Sequence, residues 1–177
     1  MILGAVLAGG LSSRFGSDKA LAELHGRSLI ALTVDALAGW CEHVVVAGRE
    51  TAPAPTLPDW PRPGMGPLAG LAAALHYAQD EGFDAVLSCG VDAALFPDDL
   101  LAVLSPAPAY LSAQPVIGLW PTAAATGLEQ LLESDERHSM LRFAERIGAR
   151  SVQTAATIPN INTPDDLTAL AALSDRQ

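Results

Sequence analysis

Residues 2–8, Ile-Leu-Gly-Ala-Val-Leu-Ala, form an unbroken apolar run. A strand with one wet face alternates apolar and polar residues; an unbroken run is expected where both faces are covered, as in a parallel sheet flanked by helices. Residues 43–48, with Val44-Val45-Val46, and residues 84–89 read as two further buried strands. Helical patterns lie between them. Leu29, Leu32, Ala36, Leu37 and Trp40 keep helical spacing, and Leu68, Leu71, Ala72 and Leu75 follow Gly66-Pro67, with Pro67 at the first helical position. Pro97-Asp98-Asp99 opens another helix, its acids near the positive end of the dipole. Residues 115–120 and 150–154 read as strands and residues 127–133 and 139–147 as helices; Thr163-Pro164-Asp165-Asp166 is a helix start with Thr163 as N-cap. The alternation predicts one α/β domain over residues 1–177, Rossmann-like, with a mostly parallel sheet and helices on both faces. Residues 51–63, rich in Pro and Ala, read as a long functional loop.

Charge narrows the partners. The net charge is −10 and the ten Lys and Arg residues are scattered, which argues against a nucleic-acid surface or an anionic membrane. No run is long enough to span a bilayer. The N-terminal apolar run stops at Gly9 and has no basic leader, so a cytoplasmic location is expected. Cys41 and Cys89 form no C-x-x-C pair and are expected as reduced, buried thiols. His25, His43, His76 and His138 lack metal-ligand spacing.

The first strand runs directly into Gly9-Gly10-Leu11-Ser12-Ser13-Arg14-Phe15-Gly16-Ser17-Asp18-Lys19. Gly9 and Gly10 let the backbone turn so that successive N–H groups converge on one anion. Arg14 and Lys19 bring two cations to the same loop. A P-loop needs Lys-Ser or Lys-Thr after its last glycine, and a dinucleotide fingerprint needs G-x-G-x-x-G; neither is present. The loop therefore reads as a grip for a nucleoside triphosphate. In a parallel sheet, ligands sit beyond the carboxyl ends of the strands. Asp92 leaves the third such end, where it either serves a phosphate-bound Mg²⁺ or caps the strand.

Together these segments resemble the molybdenum cofactor guanylyltransferases. The resemblance rests on Leu7-Ala8-Gly9-Gly10 through Ser12, Arg14, Gly16 and Asp18-Lys19, on Gly66-Pro67-Leu68-Ala69-Gly70, on Asp92 with Leu95-Phe96-Pro97, and on Asn160-Ile161-Asn162-Thr163-Pro164-Asp165-Asp166-Leu167. These motifs keep the family's order and span nearly the whole chain. The resemblance implies the nucleotide-diphospho-sugar transferase type of fold. It also implies transfer of GMP from GTP to the phosphate of molybdopterin, with release of pyrophosphate and help from Mg²⁺. The implied nucleotide-binding residues are Leu7, Ala8, Gly9, Gly10, Arg14, Lys19, Asp59 and Gly66, with Asp59 and Gly66 lining the guanine pocket. Lys19 and Arg14 would neutralise the leaving pyrophosphate, and Asp92 would hold the metal. Asn160 and Asn162 would lie near the pterin phosphate or the metal. Proteins that deliver or accept the cofactor are expected as transient partners. One departure stands out: Ala94 occupies a place that is usually proline in the metal turn, which lowers loop rigidity and leaves the carboxylate intact. The alternatives are a cytidylyltransferase or other nucleotidyltransferase of the same fold, a non-catalytic nucleotide-binding module, and a dehydrogenase-like dinucleotide domain, which the glycine spacing disfavours.

Overall fold

The N-terminal apolar run forms β1 (Ile2–Leu7) in the computed structural model, which describes residues 1–9, 18–91 and 95–176. A 3-10 turn (Lys19–Leu21) follows the glycine loop. Then come a small hairpin of β2 (Glu23–Leu24) and β3 (Arg27–Ser28), α1 (Leu29–Ala38), β4 (His43–Ala47), β5 (Thr56–Leu57), α2 (Pro67–Asp80) and β6 (Ala85–Gly90). The second half contains α3 (Leu100–Leu104), β7 (Ala109–Leu111), β8 (Gly118–Pro121), α4 (Ala125–Glu133), α5 (Met140–Arg146), β9 (Arg150–Val152) and α6 (Pro164–Ser174).

A seven-stranded sheet runs in the order β5-β4-β1-β6-β8-β7-β9. β1 lies between β4 and β6, parallel to both, and only β8 runs against its neighbours. The period of two along each strand feeds two separate cores. Leu3, Ala5, Leu7, Val45, Ala47 and Val86 face α2, α4 and α5. Val6, Ala8, Val44, Val46 and Leu87 face α1 and α3. A strand sandwiched this way is apolar on both sides, which is why residues 2–8 show no alternation. Trp120 of β8 is fully buried, and its indole N–H donates to the Ser88 hydroxyl (2.8 Å), which itself donates to the Val116 carbonyl (2.7 Å).

Differences from the expected elements have local causes. The segment 51–63 is not all loop: Thr56–Leu57 adds to the sheet edge beside β4. The strand expected over 115–120 begins at Gly118, because a turn bonds the Ile117 N–H to the Gln114 carbonyl (2.9 Å). The helix opened by Pro97-Asp98-Asp99 starts at Leu100, so its acids precede the first turn, and Asp99 sits at the N-cap without a side-chain cap bond. α6 begins as expected. Thr163 accepts from the Asp166 N–H, and the Asp166 carboxylate accepts from the Asn162 and Thr163 N–H groups, both at 2.9 Å. Cys41 and Cys89 are free and buried, and burial pushes the Cys41 thiol up to about 12, so neither offers a nucleophile.

Candidate active site

Register brings three strand ends level. Leu7 pairs with Ala47 on one side and Gly90 on the other, so the segments that leave β1, β4 and β6 share one edge of the sheet. Of the residues expected in the site, Gly10, Arg14 and Asp92 lie outside the described residues. Leu7 and Ala8 are buried, and the Ala8 N–H donates to the Ala47 carbonyl (3.0 Å). That N–H is therefore committed to the sheet edge, and the next residue, Gly9, is exposed.

Gly9 rests against Gly48, the residue after β4. Gly48 has φ +86°, and a Cβ there would come within 2.5 Å of the Gly9 Cα and 2.7 Å of its nitrogen. Only glycine allows this approach of the two strand ends. Over the contact lies the Asp59 carboxylate. Cβ atoms placed on Gly9, Gly48 and Gly70 would sit 3.3, 3.4 and 3.4 Å from its oxygens. Backbone bonds pin Asp59 from both sides: the Gly48 N–H donates to the Leu57 carbonyl (3.1 Å), and the Trp60 N–H donates to the Ala69 carbonyl (3.0 Å). Trp60 meets His76 edge-on, with ring centroids 4.8 Å apart, and His76 pairs with Glu129 of α4. The acid thus sits on a glycine floor, half-buried and without a hydrogen-bond partner among the described residues. Burial holds its carboxyl above the usual aspartate range.

Gly66 stands at the N-cap of α2 with φ +76°, exposed, with open space where a Cβ would be. Lys19 opens the 3-10 turn and is half-buried. Asn160 is exposed and Asn162 half-buried, on either side of Ile161, which is buried with Leu24, Leu29 and Leu170. Leu24 lies just downstream of Lys19, so this packing ties the C-terminal motif to the segment that follows the glycine loop. Sequence reading missed Gly48 and Arg49. Arg49 forms a two-bonded ion pair with Asp18, at 3.0 and 2.7 Å. The available signal was a glycine and a cation directly after the apolar run of β4, at the edge where ligands bind.

The MobA-like NTP transferase domain model matches residues 4–151. The chain belongs to that family. A molybdenum cofactor guanylyltransferase from Acidiphilium cryptum is 37% identical, with 94% of this chain and 92% of the relative covered. One from Rhodobacter capsulatus is 35% identical, with 94% and 93% covered. Among solved structures, molybdopterin-guanine dinucleotide biosynthesis protein A from Archaeoglobus fulgidus aligns with a TM-score of 0.74 at 22% identity, covering 99% of this chain and all of that one. The 2-C-methyl-D-erythritol 4-phosphate cytidylyltransferase from Thermus thermophilus aligns with a TM-score of 0.63 at 20% identity, covering 97% and 98%. MobA-like and cytidylyltransferase chains therefore share this fold, and the choice of base must be sought in side chains.

Proposed function

We propose that this protein transfers GMP from GTP to the phosphate of molybdopterin and releases pyrophosphate. The observation that carries the reading is Asp59, a carboxylate without a hydrogen-bond partner among the described residues, pinned above Gly9 and Gly48 at the ends of β1 and β4. A carboxylate accepts two hydrogen bonds side by side. Guanine offers two adjacent donors, its N1–H and N2 amine, whereas cytosine and adenine present ring acceptors that a carboxylate repels. Gly9 beside that acid, and Gly66 at the N-cap of α2 with open space where a Cβ would be, are the further nucleotide contacts of this reading. The match to curated guanylyltransferases over almost their whole length supports the same base.

The attacking group is an anionic phosphate, so the reaction needs no strong general base. The chain's work is to align an in-line displacement at the α-phosphorus and to stabilise charge on the departing pyrophosphate. Lys19, together with Arg14, supplies the cations for that charge. Asn160 and Asn162 offer amides to the acceptor phosphate.

The same reading assigns a Mg²⁺ ion to the site. Among the described residues no cluster of three or more His, Cys, Asp or Glu could hold a metal. Mg²⁺ in such sites takes one or two acids and completes its shell with substrate phosphate oxygens and water. Asp92 follows Gly90, which pairs with Leu7 at the start of the glycine loop, and is the acid for it. Asp18 is engaged instead by Arg49, which bonds both its oxygens. When bound, the metal would neutralise phosphate charge.

Pyrophosphate release tests the reading. It is expected only when GTP, Mg²⁺ and molybdopterin are present together, and GTP is expected to raise the melting temperature more than CTP, ATP or UTP. Equal stabilisation by all four, or stabilisation without turnover, would favour a binding module.

A further inference from the structure

Asp18 belongs to the glycine-loop motif, yet the reaction outlined above gives it no task. Its surroundings do. The Arg49 Nη1 donates to Asp18 Oδ1 at 3.0 Å and Nη2 donates to Oδ2 at 2.7 Å, a parallel two-bond geometry that fixes orientation as well as distance. The same Oδ1 accepts from the Ala20 N–H (3.3 Å), and the Asp18 carbonyl accepts from the Leu21 N–H (3.1 Å). Asp18 is thus the N-cap of the turn that carries Lys19. Arg49 is attached to the other side of the site. It directly follows Gly48, whose Cα packs on Gly9 and whose neighbour is the Asp59 carboxylate. One ion pair therefore joins the end of the glycine loop to the end of β4.

From this arrangement we infer that Arg49 is a positioning residue for Lys19, acting through the Asp18 carboxylate. The inference rests on the reading of Lys19 as a cation for the departing pyrophosphate. Two effects combine. The guanidinium holds the capped turn, and so the Lys19 backbone, in one place relative to the β4 edge. It also neutralises an acid that would otherwise compete with the phosphates for Lys19 and repel them. Arg49 is mostly shielded, with 19% of its side-chain surface exposed, against 43% for Asp18. The pair holds the Asp18 carboxyl below its ordinary range. A partly exposed pair contributes little to global stability, so its loss is expected to show in the reaction rather than in the fold.

The test is a double-mutant cycle on kcat and KM for GTP, using Arg49→Gln, Arg49→Lys, Asp18→Asn and Lys19→Ala. Arg49→Gln is expected to lower kcat by about 10- to 100-fold, the scale of a small misplacement of a reacting group, and to raise KM for GTP in step with weaker GTP binding. Asp18→Asn is expected to act in the same direction, and Arg49→Lys to recover part of the loss. In the Lys19→Ala background Arg49→Gln is expected to add nothing. Dissociation constants for GTP and GMP give a second readout that needs no turnover: Arg49→Gln should weaken GTP and leave GMP unchanged, and only while Lys19 is present. An equal loss from Arg49→Gln with and without Lys19 overturns the proposal. So does a severe Arg49→Gln beside a harmless Asp18→Asn, which would mean that Arg49 itself touches the nucleotide. A Lys19→Ala variant with wild-type kcat and GTP affinity would instead remove the Lys19 reading, and the proposal with it.

Discussion

Asp59 combines a cost to the fold with a use in binding. Burial raises its carboxyl pKa, so the folded protein binds that proton more tightly than the unfolded chain does. Stability from this group is full below the unfolded pKa and is lost as pH rises through the folded value. Asp59→Asn should therefore melt above wild type near neutral pH, with the difference closing as the solution is acidified below the ordinary aspartate range. Identical melting curves across that window would mean that the acid is not strained by its site. The same position should govern base choice. Asp59→Ala is expected to weaken GTP more than CTP or ATP, narrowing the preference by ~1–3 kcal/mol, the cost of unpaired polar groups. Dissociation constants for the three nucleotides check this, and equal weakening of all three would take Asp59 out of the base pocket. Lys19→Ala should leave the melting temperature close to wild type and lower pyrophosphate release by ~10²–10³, as for loss of one preorganised charge-stabilising group. A mutant that keeps more than about half the rate would contradict those magnitudes. The residues with a chemical signature in the sequence, such as Lys19 in a glycine loop, were legible. Arg49 was not, because its partner Asp18 lies 31 positions away and only the fold brings them together.

At the scale of elements, legibility followed length. β1, β4, β6 and α2 run for five to fourteen residues and carry their burial pattern openly. The α6 start, with Thr163 as N-cap, was legible because the cap bond joins residues three apart. The two-residue strands β2, β3 and β5 have no period to read, and they form because longer neighbours or a tight turn impose the pairing. The approach of β1 and β4 at Gly9 and Gly48 was equally hidden, since it depends on parallel register between distant segments. It yields a prediction that belongs to the two strand ends together. Gly48→Ala places a methyl within 2.5 Å of the Gly9 Cα and keeps a positive φ, so it must displace the start of the glycine loop. It should lower unfolding free energy by about 1–3 kcal/mol in urea titration, the usual scale of local backbone strain. GTP affinity should fall with it. Gly66→Ala meets open space and should cost less, although its φ is also positive. Similar, negligible effects of the two substitutions would mean that the close approach is not needed.

Across the whole molecule, the alternation of apolar runs and helical patterns was enough to anticipate a mostly parallel sheet covered on both faces, because that architecture writes its burial directly into composition. Base identity is a different matter. The fold is shared with a cytidylyltransferase at a TM-score of 0.63, and a net charge of −10 says only that anions must be met by local cations. The reading of GTP therefore hangs on a handful of groups around one edge of the sheet. The most direct measurement is a competition. The protein is incubated with Mg²⁺, molybdopterin and equimolar GTP, CTP, ATP and UTP, and the dinucleotides formed are identified by mass. The account predicts the guanine dinucleotide in large excess, with one pyrophosphate released for each. Predominance of the cytosine dinucleotide, or no dinucleotide while GTP remains bound, would contradict it.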